Sequence, residues 1–415
     1  MSFLADLLST IFDRQSGFEA KTPWEPKPIA DLCSDLISSK GEVKGMSLSS
    51  QILHSYSKMA NDEKLAFFNI LVKDMDICSE DVKKSLEAYK KNPSKMTYRA
   101  FMEASEPKRQ EFLRRLNQVS GATAELVSMR KDLLKITHKN PVLSSLDLDF
   151  RHLFASWFNR GFLVLRPINW QSPAHILEKI IKYEAVHSID SWDDLRLRLQ
   201  PDDRRCFAFF HPSMPDDPLI FVEVALTDHV SCSIQQVLSE DRKTVEPENI
   251  NTAVFYSISN CQSGLAGISF GNSLIKQVVT DLSKEFSNLN RFVTLSPIPN
   301  FNKWIDNQAE ENILQSENLQ QSVAYYLSKA KTKRGAPYDP VARFHLGNGA
   351  LIHAVHLDAD MSKKGVEQSN GVMVNYLYDL QAIESNHEKF TSNNEVATSK
   401  QVENLAQMYN ETGNA

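Results

Sequence analysis

The chain has 415 residues, room for two or three domains, and its 42% apolar and 24% charged content is that of a globular protein able to bury a core. A net charge of −6 and a pI near 6.0 argue against a nucleic-acid partner or a polybasic membrane binder, the densest basic run being Lys329 to Gly335. The five cysteines, Cys33, Cys78, Cys206, Cys232 and Cys261, include no C-x-x-C pair, which argues against a disulfide framework or a zinc knuckle and favours free thiols in a reducing compartment.

In chain order, the opening "MSFLADLLSTIFDRQ" is amphipathic but has an early Asp6 and no basic flank, so neither a secretory signal nor a mitochondrial presequence is expected. No apolar run is long enough to span a bilayer. The closing "ETGNA" is no peroxisomal tripeptide, and the expected location is cytoplasmic. Residues 45–160 read as consecutive amphipathic helices. Ser79 is placed to cap one whose face carries Val82, Leu86 and Tyr89; another carries Phe112, Leu113 and Leu116; a third Leu126, Met129, Leu133 and Ile136. One-sided stripes predict a bundle, structural or subunit-contacting rather than chemical.

The texture changes near Gly161. "GFLVLRPI", "CFAFFHP", "LIFVEVALT", "AVFYSIS", "RFVTLSPIP" and "ALIHAVHL" are short runs rich in Phe, Val and Ile, predicted as strands. "AHILEKIIKYEAV", "NSLIKQVVTDLSKEF" and "SENLQQSVAYYLSKA" are predicted helices between them, with one more in "SKQVENLAQMYN". Strands alternating with helices indicate an α/β or α+β catalytic-type domain.

Three segments could carry chemistry. "SISNCQSGLAGISFGNSLIKQVV", Ser257 to Val279, runs from a strand through a glycine-containing loop into a helix, an arrangement that brings backbone N–H groups and a helix dipole to phosphate oxygens. It is neither a Walker A nor a G-x-G-x-x-G sequence. It resembles the Q/R-x-x-G-x-G/A pyrophosphate loop of the Gcn5-type acetyltransferase superfamily, with Cys261 in place of the first Gln or Arg and Gly264-Leu265-Ala266 in register. In "TLSPIPNF", Ser296 closes a strand before a stiff Pro-Ile-Pro turn, either as an active hydroxyl or as a turn former. "FHLGNGALIHAVHLDAD", Phe344 to Asp360, holds His345, His353, His356, Asp358 and Asp360. On a regular strand His353 and His356, three apart, face opposite ways, so a shared metal needs a bulge and none is expected. His345 precedes the tight-turn signal Asn348-Gly349 and is either a proton carrier facing a cleft or a structural histidine.

Taken in order, "SWFNRGFLVL", "WDDLRLRL", "DRRCFAFFHPSMPDDPLIFVEVALT", "FYSISNCQSGLAGISFGNSLIKQVV", "LSPIPNF", "DPVARFHLGNGA" and "NYLYDL" closely resemble the malonyl-CoA decarboxylase family across residues 145–380. The resemblance implies a helical oligomerisation domain over residues 1–158 and an acetyltransferase-like catalytic domain over 159–415, an α+β chain as a whole. It implies a catalytic Ser296 and His345 and an active-site Tyr378. The coenzyme A loop it implies covers Ala266, Gly267, Ile268, Ser269, Phe270, Gly271 and Asn272, to which the pyrophosphate pattern adds Gly264 and Leu265. Animal members have a glutamate where Ser269 stands, a longer insert between the serine and histidine motifs and a peroxisomal terminus, so the likeness is to a bacterial-type member.

The implied reaction takes malonyl-CoA to acetyl-CoA and carbon dioxide. The substrate's thioester carbonyl is its own electron sink, so no cofactor and no metal is expected. His345 would donate the proton, Ser296 would contact the carboxylate and exchange a proton with it, and Tyr378 would orient the carboxyl end. The expected assembly is a homo-oligomer, a dimer or tetramer, without nucleic-acid or membrane partners. The rival readings are an acyl-CoA-dependent acyltransferase, a non-catalytic acyl-CoA-binding protein, and a metal-dependent hydrolase built on the histidine cluster.

Overall fold

The computed structural model describes residues 27–268, 272–307 and 316–412. The chain forms two compact units. One is drawn from residues up to Val164 and takes in two later segments, Phe210–Asp217 and Gln262–Phe270; the other comprises Leu165–Phe209, Pro218–Cys261 and the chain from Gly271 onward. Among the described residues no helix is long and apolar enough to cross a membrane, and the five cysteines form no disulfide.

The first unit is built of the helices Ile29–Ser38, Glu42–Ser57, Asn61–Asp74, Ser79–Lys91, Lys95–Ser105, Lys108–Leu116, Ala122–Thr137 and Ser144–Trp157. The stripes at Phe112, Leu113 and Leu116 and at Leu126, Met129 and Leu133 are buried, as one-sided periodicity requires, while Ile136 is only partly covered. Phe67 and Phe68 fill the centre, with the Tyr56 ring 5.3 Å and the Phe112 ring 6.4 Å from that of Phe67. The stripe of Val82, Leu86 and Tyr89 behaves differently. Neither Ser79–Lys91 nor Lys95–Ser105 has a buried residue, and the two helices pack on each other through Tyr89 against Tyr98 and Phe101. Ser79 opens its helix rather than capping it; Cys78 holds the cap position.

The second unit is organised by a sheet of eight strands, β1 Val164–Ile168, β2 Arg204–Phe210, β3 Ile220–Thr227, β4 Thr252–Asn260, β5 Arg291–Thr294, β6 Ser296–Pro297, β7 Leu351–His356 and β8 Met373–Leu377. β2, β3 and β4 pair antiparallel in succession, β4 and β5 pair parallel, and β8 pairs antiparallel with β5, β6 and β7. The parallel pair is joined by the crossover helix Asn272–Glu285, since parallel neighbours cannot be linked by a tight turn. The whole is the α+β arrangement expected, a helical region followed by a mixed sheet. All six predicted strands form, though "RFVTLSPIP" is interrupted at Leu295. β8 was not among them.

In the helical unit the Arg109 guanidinium, almost wholly buried, binds Asp149 through Nε and Asp76 through an Nη at 2.8 Å; the Asp149 carboxylate also accepts from Gln110 at 2.6 Å. Removing the carboxylate leaves Arg109 only the half-exposed Asp76 as an anion and takes the acceptor from Gln110, so Asp149→Ala should cost about 3 kcal/mol in a urea unfolding experiment on the full chain. A loss under about 1 kcal/mol would mean that solvent reaches Arg109.

Candidate active site

β5 and β6 read as one interrupted strand. Val293 pairs with Leu377 and Ser296 with Val374, which is a single unbroken register along β8. Successive side chains on a strand alternate between faces, so Thr294 and Ser296 share a face with Tyr376 and Tyr378. Onto that face the helix Pro340–Gly347 delivers His345 from its last turn. The helix starts there because Asp339 caps it, its Oδ1 accepting from the N–H groups of Val341 and Ala342 at 2.8 Å each, with Pro340 supplying a preset first turn. His345 is therefore not at the edge of a tight turn, as the Asn348-Gly349 pair suggested, but one step inside a helix end. Gly349 is still required behind it: its φ is +86°, and a Cβ there would lie 2.1 Å from the Ile383 carbonyl oxygen.

The structure brings together Ser296, His345 and Tyr378. Ser296 Oγ lies 3.2 Å from His345 Nε2, and the Tyr378 hydroxyl lies 2.8 Å from Nδ1 on the far side of the ring. All three are buried, and the imidazole stacks on the Tyr376 ring with centroids 4.5 Å apart. Tyr378 thus spends its hydroxyl on the imidazole, a different task from orienting a substrate carboxyl. Three neighbours escaped the sequence reading. Thr294 Oγ1 accepts from Ser296 Oγ at 2.8 Å and from the Tyr376 N–H at 3.1 Å; Tyr376 supplies the stacking face; and Asn348 is buried close to Tyr378 with neither amide atom in a hydrogen bond. The signal for Thr294 and Tyr376 was period-two spacing from Ser296 and Tyr378.

Burial pushes His345 down to about 3, so the imidazole is neutral at ordinary pH. Burial raises Tyr378 well above its usual range, with the Asn348 amide pulling the other way. Asp339 is raised to about 6 by burial, against its capping bonds and the Tyr326 hydroxyl at 3.3 Å. The group behind the imidazole is a phenol, not the carboxylate that steadies an imidazolium in serine hydrolases. The arrangement suits passing a proton through a neutral ring.

The other histidines of the segment are elsewhere. β7 is not regular: its register against β8 shifts between Ile352 and Ala354, and the extra residue His353 is pushed down by burial first and by nearby His356 second. The opposed-face expectation fails at that bulge. His356 Nε2 is taken by Asn375 Oδ1, and among the described residues no three His, Cys, Asp or Glu side chains converge to hold a metal.

The loop expected to hold coenzyme A belongs to the helical unit. Arg130, buried, donates to the carbonyls of Gly264 at 2.7 Å and Ala266 at 2.9 Å, with its Nε on Asp147 at 2.8 Å. Gly264 is pressed against the helix Ala122–Thr137, where a Cβ would lie 1.9 Å from the Val127 carbonyl oxygen. The N–H groups of Leu265, Ala266 and Ile268 donate within the loop, so an anion would have to be met by others such as that of Gly267. Ser269, Phe270 and Gly271 lie outside the described residues; Asn272 opens the following helix.

Comparison with known proteins gives a consistent answer. The Malonyl-CoA decarboxylase N-terminal domain family matches residues 78–158, and the Malonyl-CoA decarboxylase C-terminal domain family matches residues 161–319 and 306–414. The solved malonyl-CoA decarboxylase of Agrobacterium vitis is 46% identical, covering 91% of this chain and 99% of its own with a TM-score of 0.86. That of Rhodopseudomonas palustris is 43% identical, covering 92% and 99% with a TM-score of 0.85. The mitochondrial malonyl-CoA decarboxylase of Rattus norvegicus is 34% identical over 73% of this chain and 72% of its own.

The depressed His345 has a thermodynamic signature. From about pH 6.5 down to about 3 the unfolded chain binds a proton there that the folded chain refuses, so stability rises with pH across this window and is lost as pH falls through it. One such group changes stability by up to about 1.4 kcal/mol per pH unit. His345→Gln should flatten the pH dependence of the urea midpoint in this window; a slope unchanged from the parent would show that His345 protonates freely in the folded state.

Proposed function

The chain belongs to the malonyl-CoA decarboxylase family and is thereby a carboxy-lyase, and from that premise we propose that it converts malonyl-CoA to acetyl-CoA and carbon dioxide through a thioester enolate, with His345 as proton donor and Ser296 as its proton-exchanging partner. The observation that carries the mechanism is the buried line Ser296 Oγ, His345 Nε2, His345 Nδ1, Tyr378 hydroxyl, with no carboxylate in it. When the carbon–carboxylate bond breaks, its electrons move into the thioester carbonyl. The substrate holds this sink itself, so the reading needs neither metal nor organic cofactor.

What the protein must add is desolvation of the carboxylate, donors for the developing oxyanion, and an acid for carbon 2. Ser296, at the end of the strand, contacts the malonyl carboxylate, and His345 Nε2 delivers the proton to the carbon that loses carbon dioxide. Tyr378, with Asn348 beside it, holds the far side of the ring. The loop Gly264–Ile268 holds the pyrophosphate of coenzyme A.

Incubation of the full chain with carboxyl-labelled malonyl-CoA in EDTA should release volatile label and acetyl-CoA. Inactivation by chelator with recovery on adding a divalent ion would overturn the cofactor-free reading. His345→Ala and Ser296→Ala should each lose at least about a hundredfold in turnover, and the double variant should be little worse, because a proton-sharing pair acts as a unit. His353→Ala, placed on β7, should keep its turnover. A folded His345→Ala with near-parental activity would remove His345 from the chemistry.

We also propose that the chain is a homo-oligomer, a dimer or tetramer. Supporting this is the helix pair Ser79–Lys91 and Lys95–Ser105, which buries none of its residues and leaves Met96, Tyr98 and Met102 exposed. Light scattering at micromolar concentration should give a multiple of the chain mass; a monomer would overturn it.

A further inference from the structure

We infer that His345 rests as the neutral Nε2–H tautomer, so that in its exchange with Ser296 the resting imidazole is the donor and the serine oxygen the acceptor, and that Thr294 is the positioning residue that sets this direction. The inference rests on the decarboxylase reading above and goes on to say why the same serine and histidine do not make a nucleophile.

The geometry between Ser296 and Thr294 admits one direction, with Ser296 Oγ donating and Thr294 Oγ1 accepting at 2.8 Å. Thr294 Oγ1 also receives the Tyr376 N–H at 3.1 Å, where β5 and β6 are interrupted along β8, and its second lone pair takes the Ser296 proton. With the serine proton directed at Thr294, the oxygen presents a lone pair to His345 Nε2 at 3.2 Å. Two lone pairs facing at that distance would repel, so Nε2 carries a hydrogen and donates it. The ring is buried with no anionic partner beside it, so it holds one proton only. Nδ1 is then bare and accepts the Tyr378 hydroxyl at 2.8 Å. The hydrogen bond the Tyr378 hydroxyl makes is the one to Nδ1, so its proton goes to the imidazole. Each donor in the row points the same way, from Tyr378 through His345 and Ser296 to Thr294.

This direction selects the reaction. A serine nucleophile needs a bare Nε2 to take its proton, the opposite tautomer. A decarboxylation consumes a proton at carbon, and here Nε2 already has one. When carbon 2 of the enolate takes the Nε2 hydrogen, Nδ1 takes the Tyr378 hydroxyl proton, and the imidazole stays neutral throughout. The negative charge moves from the enolate to the Tyr378 oxygen, and when one proton from water then reaches Nε2 the Nδ1 proton returns to the phenolate, which restores both the phenol and the starting tautomer. The count closes: malonyl-CoA and one proton become acetyl-CoA and carbon dioxide.

The test is nitrogen NMR of the full chain with labelled histidine, His345→Gln identifying the His345 signals, together with turnover measurements. The parent should show a protonated Nε2 and a bare Nδ1 at neutral pH; a protonated Nδ1 overturns the inference with no variant needed. In Thr294→Val the serine proton loses its acceptor and turns to the imidazole. The tautomer should reverse or mix, kcat should fall by about a hundredfold as expected for a misprotonated histidine, and KM should move by less than about threefold. Thr294→Ser keeps the acceptor and should restore both tautomer and kcat. A folded Thr294→Val with parental tautomer and kcat overturns the role of Thr294. The decarboxylase reading fails separately, through the parent releasing no volatile label from carboxyl-labelled malonyl-CoA, whatever the NMR shows.

Discussion

The candidate site depends on the pairing of β8. This strand takes β5 and β6 along one edge in a single register and β7 along the other. Because faces alternate residue by residue, that register is what sets Thr294, Ser296, Tyr376 and Tyr378 side by side, and a slip of one position would send the hydroxyls of one strand to the opposite face. The polar residue between them points the other way and locks the register. Asn375 donates to the carbonyls of Ser231 at 3.2 Å and Thr294 at 2.7 Å and accepts from His356. A buried amide with its bonds satisfied is stable in only one placement, so Asn375 discriminates against slipped pairings more sharply than an apolar residue could.

The site is assembled without a buried ion pair. Charges taken out of water cost several kcal/mol each unless compensated, and an imidazolium at His345 would have no anion to meet it. A row of neutral donors and acceptors costs far less to bury, and here Tyr378, His345, Ser296 and Thr294 each find a partner. This suits a reaction in which the substrate brings its own charge and its own electron sink. Asp339 is the nearby carboxyl that burial raises to about 6, and it is occupied at the start of the His345 helix, where its two accepted N–H bonds place the imidazole rather than charge it.

The sequence revealed most where side-chain type and periodicity agree. Runs such as "LIFVEVALT" read as strands because they are apolar on both faces, and the helical stripes read correctly wherever a neighbour covers them. β8 was missed because Asn375 interrupts "MVNYL", and a polar residue bonded to backbone across the sheet looks in one dimension like a break. The helix that carries His345 was missed although Asp339-Pro340 is a start signal, because it is only eight residues long and Asn348-Gly349 drew attention to its end. The bulge at His353 had no signature at all; it arises from the register of two strands against each other. Ser296, His345 and Tyr378 were legible as a set only through family resemblance, since their spacing along the chain says nothing of a shared face.

The seating of the Gly264 loop bears on how this chain can be divided. Arg130 holds two carbonyls of that loop and Val127 closes over its glycine, so a segment that lies more than a hundred residues along the chain is finished by a helix from the first third. Cutting near residue 158 would therefore not separate a dispensable platform from a self-sufficient enzyme. The later fragment would carry the loop's sequence without the guanidinium that shapes it, and the earlier one would expose a buried arginine. Continuity along the polypeptide and completeness of a folded unit have different boundaries here, and a designer who wanted the loop in its native shape would have to graft Arg130 and its helix along with it.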